Sequence, residues 1–386
     1  MKANQSNLLE IFYLASFALF FAFNFIDRHV SGIFLSIALF LCLISYKSLY
    51  QSMLVNIRLV QSIIIFSVFI SLVGFYHNIP LHELDNYYRF LLLLPLLLIS
   101  LNERRTMLLI IVCAAAGLLH AIYIYVFSEI NISRYQGTSS TAITYGNMCA
   151  TLFMILVYYI IFRGYNSYYN ILAAIIFLFL FILTGTRGPI IGLILSLVYL
   201  GFTMFKNRKG RNDFISPLII LFIFLISLVT IPNTLGERVK KMTEINLVNP
   251  LENVNRSFRE RIFYIVYSKE LIQKYPLIGI GPHNLESEMS QSLKRKNINN
   301  IFARDHLHND FLDISAKFGL ISLVLLLFIY FHMLGRKNSE HRVLLNIIML
   351  MFISSQMTQS QFAHHQAITF FIVLLYLFQG NKEERE

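Results

Sequence analysis

Charge is scarce in this sequence, tryptophan is absent and cysteine occurs only three times. Charged side chains make up 14% of the 386 residues, 56% of the residues are hydrophobic, and the mean hydropathy is +0.61. A soluble domain of this length needs a more polar surface than this composition supplies, so we exclude a soluble globular chain. The composition predicts a membrane protein instead.

The three cysteines exclude two kinds of structure. Cys42, Cys113 and Cys149 all lie inside apolar runs and far apart in the sequence. We therefore expect neither a disulfide framework nor a cysteine-based metal site.

Apolar runs recur from one end of the sequence to the other. A helix needs about 20 mostly apolar residues to cross the hydrocarbon core of a bilayer. The runs predict an all-α polytopic membrane protein with about twelve transmembrane helices, of which the fourth and twelfth are short enough to be tilted or partly re-entrant. Lys2 precedes the first run and no small-residue cleavage site follows it, so we expect a retained signal-anchor. The predicted limits are 8–26, 29–46, 58–76, 87–101, 106–128, 142–162, 167–184, 187–205, 214–232, 311–334, 341–359 and 366–379.

The distribution of positive charge predicts the orientation of these helices. If the N-terminus is cytoplasmic, the short loops on that side and the two termini carry fifteen lysines and arginines, and the short outer loops carry four, Arg28, Arg89, Arg134 and Arg187. Because positive charge in short loops marks the cytoplasmic side, we expect both termini in the cytoplasm. The net charge of +11 is then a topology signal, and it predicts no nucleic-acid partner.

One long connection, 233–310, falls on the outer side. It divides the chain into helices one to nine (1–232), an outer loop domain (233–310), and helices ten to twelve with a cytoplasmic tail (311–386). Within the loop, RSFRERIFYIVYSKELIQKY at 256–275 is typical of an amphipathic helix, and the turn PLIGIGPHN follows it. Its predicted apolar side consists of Ile262, Ile265, Val266, Leu271 and Ile272.

Several outer arginines are not explained by the orientation rule. A planar guanidinium binds phosphate oxygens in pairs, so arginines at a membrane boundary suit a phosphate-bearing lipid. The alternative is that their side chains reach lipid headgroups or nearby carboxylates, which we expect for Arg28 and Arg134. The candidates for phosphate binding are Arg89, Arg187, Arg256, Arg259 and Arg261.

The stretch ARDHLHNDFLDISAKFGLIS at 303–322 places the densest group of titratable side chains directly before the tenth apolar run. A neutral imidazole can accept a proton near pH 7, which makes His308 a candidate base, whereas we interpret His306 as structural or substrate-facing. Asp305 or Asp310 can orient an imidazole, although Asp310 is equally a helix N-cap. A zinc site would need a third ligand, and the sequence offers no convincing one. His364 and His365 could join the site, but we favour the interpretation that they belong to a solvated loop.

Three stretches in this order resemble the bacterial O-antigen ligase and polymerase family over about 134–322, which includes its shared Wzy-C region. They are TGTRGPIIGLILSL, RIFYIVYSKELIQKYPLIGIGPHN and HLHNDFLDISAKFGLIS. The stretch GTSSTAITYGN and the HLHND form are more similar to the ligase branch. The sequence departs from the family at one point: many members have tryptophan four residues after the loop arginine, where this chain has Ile265 beside Tyr264.

The resemblance implies a fold like that of C-type glycosyltransferases and a metal-independent, inverting reaction without a cofactor. A polysaccharide would pass from undecaprenyl diphosphate to a sugar hydroxyl of lipid A–core, at the periplasmic face of the bacterial inner membrane. The family's catalytic histidine corresponds to His308, and its two essential arginines correspond to Arg187 and Arg261. Position and chemistry alone add six candidate substrate-binding residues, namely Arg89, Arg256, Arg259, His306, Asn309 and Asp310. The sequence has no Asp-x-Asp pair for a magnesium-bound diphosphate.

Three other functions stay open at this stage. A polymerase would use the same donor with a second lipid-linked glycan as the acceptor. A transporter of the same lipid would place ionisable residues at mid-membrane, but the helix interiors of this sequence have few besides His120 and Lys317, which favours chemistry at the surface. A structural scaffold would need neither His308 nor the outer arginines.

Overall fold

A computed structural model describes residues 2–44, 46–99, 103–127, 135–136, 139, 141–206, 256–296, 298, 301–334 and 341–379. In these ranges the regular structure is entirely helical. The predicted ninth span at 214–232, Arg134 and the first part of the outer loop lie outside the described residues. The helices of the described ranges are α1 Lys2–Asn24, α2 Arg28–Ile44, α3 Tyr46–Val55, α4 Ile57–Tyr76, α5 Asp85–Leu92, α6 Glu103–Phe127, α7 Ala142–Val157, α8 Tyr168–Thr184, α9 Gly188–Lys206, α10 Arg256–Lys274, α11 Leu285–Arg295, α12 Asp310–Met333, α13 Arg342–Thr358 and α14 His365–Gln379.

Five helices are long and apolar enough to cross a membrane. They are Ile57–Tyr76, Glu103–Phe127, Ala142–Phe162, Gly188–Lys206 and Asp310–Met333. Shorter apolar helices cover Ile11–Asn24, Arg28–Ile44, Tyr168–Thr184, Arg342–Thr358 and His365–Gln379. The prediction of an all-helical membrane protein is thus confirmed, whereas the count of twelve spans stays a prediction.

The predicted fourth span at 87–101 is not one continuous helix. The chain there forms the short helix α5 and then a 3-10 turn at Leu94–Leu98, with Pro95 near the start of the turn. Proline lacks a backbone N–H and clashes with the preceding turn, so α5 does not continue as one long helix.

One end of the helix bundle collects several chain connections, and we call it the outer end. The side-chain amide of Gln366, in α14, donates to the backbone oxygen of Asn24 at the end of α1 (2.9 Å). The amide of Asn86, in α5, donates to the backbone oxygen of Phe362 between α13 and α14 (2.7 Å). The start of α9 packs closely on the end of α13, because a Cβ atom added to Gly188 would lie 2.6 Å from the Thr358 hydroxyl.

The outer domain has a small hydrophobic core of its own. The predicted helix at 256–275 is confirmed as α10, but its predicted apolar side is partly wrong, because Ile265 and Val266 are 56% and 51% exposed. The buried side is aromatic instead, at the helical spacing of one face. The core consists of Tyr264, Tyr267, Leu271, Ile280, Leu285, Met289, Leu293, Ile301, Leu307 and Ala316.

The turn after α10 is hydrogen-bonded to the backbone of α12 at a point where that helix is interrupted. Gly319 has φ 85° and ψ 172°, which interrupts the helix and frees backbone groups. The N–H groups of Ile280 and Gly281 donate to the oxygens of Ala316 and Lys317, both at 2.9 Å. Because the two backbones touch, a Cβ atom on Gly319 would lie 2.0 Å from the Leu277 oxygen. The outer domain is therefore held directly by α12.

Candidate active site

His308 lies in the short linker between α11 and α12, at the outer end. It is half-buried, and its φ of 54° places it in the left-handed region, which residues with a Cβ atom adopt at a cost. Such strain persists only where the surroundings hold the backbone in place, and it is concentrated at functional sites. The contacts of the linker therefore determine where the imidazole lies.

Asn309 and Asp310 tie this linker to the loop between α13 and α14. The Asn309 side-chain oxygen accepts from the Leu312 N–H (3.1 Å), and its amide donates to the Met357 oxygen (3.2 Å). Asn309, and not Asp310, is thus the N-cap of α12. The Asp310 carboxylate is fully buried and accepts the N–H groups of Gln361 (3.0 Å) and Phe362 (3.2 Å). Asp310, a predicted substrate ligand, faces the loop backbone.

Three imidazoles gather here. The ring centroids of His306 and His308 lie 4.6 Å apart, and those of His306 and His364 lie 6.1 Å apart. His306 donates from Nδ1 to the Asp305 carboxylate (2.6 Å), so Asp305 orients His306 and not His308. The Gln359 amide donates to Nε2 of His364 (2.5 Å). His364 therefore belongs to the cluster, contrary to the solvated-loop interpretation, whereas the neighbouring His365 is exposed.

The cluster is not arranged as a metal site. Within the part of the chain that the structure describes, no group of three histidine, cysteine, aspartate or glutamate side chains is placed to hold an ion.

Burial and neighbouring positive charge keep the imidazoles of His308 and His364 uncharged at neutral pH. Burial, followed by the charges of His306, Arg304 and Arg261, lowers the pKa of His308 to about 3. Burial also lowers the pKa of His364 to about 4. The hydrogen bond from His306 lowers the pKa of the Asp305 carboxyl to about 2. At neutral pH, His308 is therefore an uncharged acceptor that faces fixed positive charge.

Two of the arginines that act on His308 come from different segments. Arg261 is an exposed residue of α10, and Arg304 lies four residues before His308. The Nε atom of Arg304 is buried and has no hydrogen-bond partner in the structure. This Nε–H group is available to donate a hydrogen bond to an anion.

Arg187 reaches the same end of the bundle by helix packing. Arg187 directly precedes Gly188, and Gly188 packs on Thr358. Met357, the residue before Thr358, accepts a hydrogen bond from the Asn309 side chain through its backbone oxygen. The end of α13 thus connects the start of α9 with the residue next to His308.

The other predicted arginines lie differently. Arg89 forms an ion pair with Asp85 one turn earlier in α5, and Nδ1 of His365 lies 3.4 Å from the same carboxylate. Arg259 is half-buried, and because residues two apart point in different directions on a helix, it does not share the face of Arg261. The Arg256 side chain lies outside the described residues.

Sequence reasoning missed Tyr264 and Arg304. The Tyr264 ring is fully buried, and its centroid lies 5.6 Å from that of His308. Helical spacing offered a signal, because Tyr264 follows Arg261 by three residues and shares its face of α10. Arg304 belongs to none of the recognised motifs, and its position in the polar stretch at 303–322 was the one sequence signal for a role in the site.

Residues 172–327 match the family model described as O-antigen ligase. This match supports membership of the O-antigen ligase and polymerase family. The matched region runs from α8 into α12 and contains Arg187, Arg261 and His308. Members of this family are membrane glycosyltransferase-like enzymes, both ligases and polymerases. An uncharacterized protein of Haemophilus influenzae is 24% identical over 258 residues, and the match covers 64% of this chain and 64% of that relative.

Proposed function

We propose that this protein is an O-antigen ligase with its active site at the outer end of the helix bundle. It transfers a polysaccharide from undecaprenyl diphosphate to a sugar hydroxyl of lipid A–core, on the periplasmic face of the bacterial inner membrane. The observation that carries the proposal is the uncharged imidazole of His308 next to the charges of Arg261 and Arg304, inside the region that matches the family.

In the proposed reaction, His308 is the general base. The imidazole accepts the proton of the acceptor hydroxyl while the hydroxyl oxygen attacks the anomeric carbon of the donor. The bond from this carbon to the diphosphate oxygen breaks, and the diphosphate leaves with the bonding electron pair. Direct displacement by one base, without a covalent intermediate, inverts the configuration of that carbon.

The leaving group is stabilised by arginine. Charge develops on the diphosphate as its bond breaks, and fixed guanidinium groups stabilise this charge without rearranging. Arg261, Arg187 and Arg304 are the residues that we assign to this role. His306 borders the site as a substrate contact, and Asn309 holds the linker that carries His308.

The low pKa of His308 fits this assignment because the donor changes it. A base with a pKa of about 3 is weak in the free enzyme. The charges of Arg304 and Arg261 cause part of this lowering, and a bound diphosphate neutralises them. We expect the pKa of His308 to rise when the donor binds, so that the imidazole becomes a stronger base only in the complex.

A polymerase is the second candidate, because the family contains both enzymes and both use the same kind of donor. The test uses the purified full-length protein in lipid nanodiscs with an undecaprenyl-diphosphate-linked glycan. One reaction receives lipid A–core, and the other receives only the lipid-linked repeat unit. A ligase forms product with lipid A–core alone, whereas extension of the repeat unit would indicate the polymerase.

His308→Ala is the matching variant in this assay. We expect it to form no product while its expression and its thermal unfolding stay like those of the wild type. Wild-type rates in this variant would remove the general-base assignment. The absence of product with both acceptors in the wild-type protein would overturn the proposed function.

A further inference from the structure

A buried ion pair lies in the first turns of α12. The Lys317 ammonium is 2.7 Å from the Asp313 carboxylate, and the two side chains are 7% and 1% exposed. Charges in an apolar helix cost free energy, and an apolar pair of similar size is often at least as stable. Stability of the helix alone therefore does not explain why this pair is present.

The second oxygen of Asp313 connects the pair to the active site. Asp313 Oδ1 accepts the backbone N–H of Leu307 at 3.0 Å, while Oδ2 binds Lys317. Leu307 is buried and directly precedes His308, whose backbone is in the left-handed region. The N–H of Asp313 also donates to the Asn309 oxygen on the other side of His308 (2.8 Å). Asp313 thus binds the residues on both sides of His308.

Lys317 is itself held in place. Its backbone oxygen accepts the Gly281 N–H at the break in α12, where the outer domain joins the helix. Its side chain reaches back one turn to Asp313, so the carboxylate is held with one oxygen towards Lys317 and the other towards Leu307. A carboxylate without this partner would be free to turn away from the linker.

We propose that Asp313 is the positioning residue of His308, and that Lys317 holds Asp313 in the orientation that receives the Leu307 N–H. This inference rests on the proposed function, in which His308 is the base. Without the bond to Leu307, the backbone before His308 loses a direct restraint beside the burial of the Leu307 side chain, and relaxation of His308 to an ordinary backbone conformation moves the imidazole away from the acceptor hydroxyl. A displacement of about 1 Å at a reacting group lowers a rate by about 100-fold.

Two double variants separate positioning from simple stability. Asp313→Asn with Lys317→Gln replaces the charges by two amides and keeps an oxygen for the Leu307 N–H. Asp313→Leu with Lys317→Met also removes both charges and fills the space, but it leaves Leu307 without an acceptor. Neither variant leaves a buried charge without its partner, so both avoid the largest cause of misfolding.

We expect kcat of the amide variant to stay within about threefold of the wild type. We expect kcat of the apolar variant to fall by about 100-fold with little change in KM, at a similar unfolding temperature. Equal kcat in the two folded variants would overturn the inference. If the wild-type protein forms no product, the proposed function fails instead, and a second measurement then decides the positioning role.

That measurement is amide hydrogen exchange at Leu307, which reports the hydrogen bond directly and needs no substrate. We expect wild-type protection in the amide variant and exchange that is faster by about tenfold or more in the apolar variant. Equal protection of Leu307 in both variants would overturn the inference whatever the enzyme activity.

Discussion

The imidazole of His308 packs against the ring of Tyr264, with centroids 5.6 Å apart and an angle of 40° between the rings. The tyrosine hydroxyl donates to the Phe302 oxygen at 3.2 Å, so one residue joins α10 to the linker that carries the histidine. Ile265 stands where the resemblance to the family leads us to expect tryptophan, and it is exposed here. In this chain the neighbouring residue supplies the aromatic ring beside His308.

Replacement of Tyr264 tests this contact. We expect Tyr264→Ala to reduce transfer by at least about tenfold and to cost about 3 kcal/mol of stability, because it removes a buried ring next to the base. Tyr264→Phe keeps the ring and loses only the hydrogen bond to Phe302, so its activity should stay within about threefold of the wild type. Initial rates and thermal unfolding of both variants check the prediction. Equal rates in the two variants would show that the ring does not support His308.

The pH dependence of transfer follows from the pKa of His308. Its value of about 3 in the free protein means that the imidazole is unprotonated from neutral pH down to roughly pH 5, so kcat/KM should not fall in this range. In the donor complex the diphosphate raises the pKa, and the acidic decline of kcat should therefore occur at a higher pH than that of kcat/KM. Steady-state rates between about pH 4.5 and 8 measure the acidic decline of kcat and show whether kcat/KM stays level. A half-loss of kcat/KM near pH 6.5 would contradict the lowered value.

Arg304 is predicted to bind the leaving group. Arg304→Ala should lower kcat by about 100-fold, the usual effect of removing one group that stabilises developing charge. Arg304→Lys keeps the charge but not the planar fork, so we expect intermediate rates. Arg295→Ala is the matched control, because Arg295 lies on the outer domain, is exposed and pairs with Glu288 at 3.7 Å. If Arg304→Ala and Arg295→Ala have the same kcat, Arg304 has no part in the reaction.

Gly319 provides a test of the junction between the outer domain and α12. A methyl group there would lie 2.0 Å from the Leu277 oxygen and would occupy a backbone conformation with φ 85°. We expect Gly319→Ala to lose several kcal/mol of stability or to yield no folded protein. Gly32, in α2, has nothing within 4 Å of an added Cβ atom, and Gly32→Ala should be neutral or stabilising by about 0.5–1 kcal/mol. Unfolding temperatures in detergent compare the two, and similar values would contradict the close approach.

Local patterns in the sequence were enough to predict much of the fold. Apolar runs and an amphipathic pattern depend on neighbouring residues, so they predicted the helical membrane protein and α10 correctly. Pro95 was the missed local signal, since it ends the helix in the predicted fourth span. Motif spacing was enough to recognise the family, and the region that matches its model contains the predicted His308, Arg187 and Arg261.

The surroundings of the candidate base depend on contacts between distant parts of the chain. The Asp310 carboxylate accepts the backbone N–H of Gln361, 51 residues away, and the periodicity of the sequence does not predict such a pair. In the same way, His364 joins the histidine cluster only because the loop after α13 folds onto the start of α12.

The sequence by itself determined that this chain is apolar and helical, with a dense polar segment directly before an apolar helix, because hydropathy and residue spacing are properties of the chain alone. Only the tertiary structure decided which side chains surround His308. Helix packing brings residues from distant parts of the chain to the linker, and the backbone groups of the loops there need side-chain partners for their hydrogen bonds.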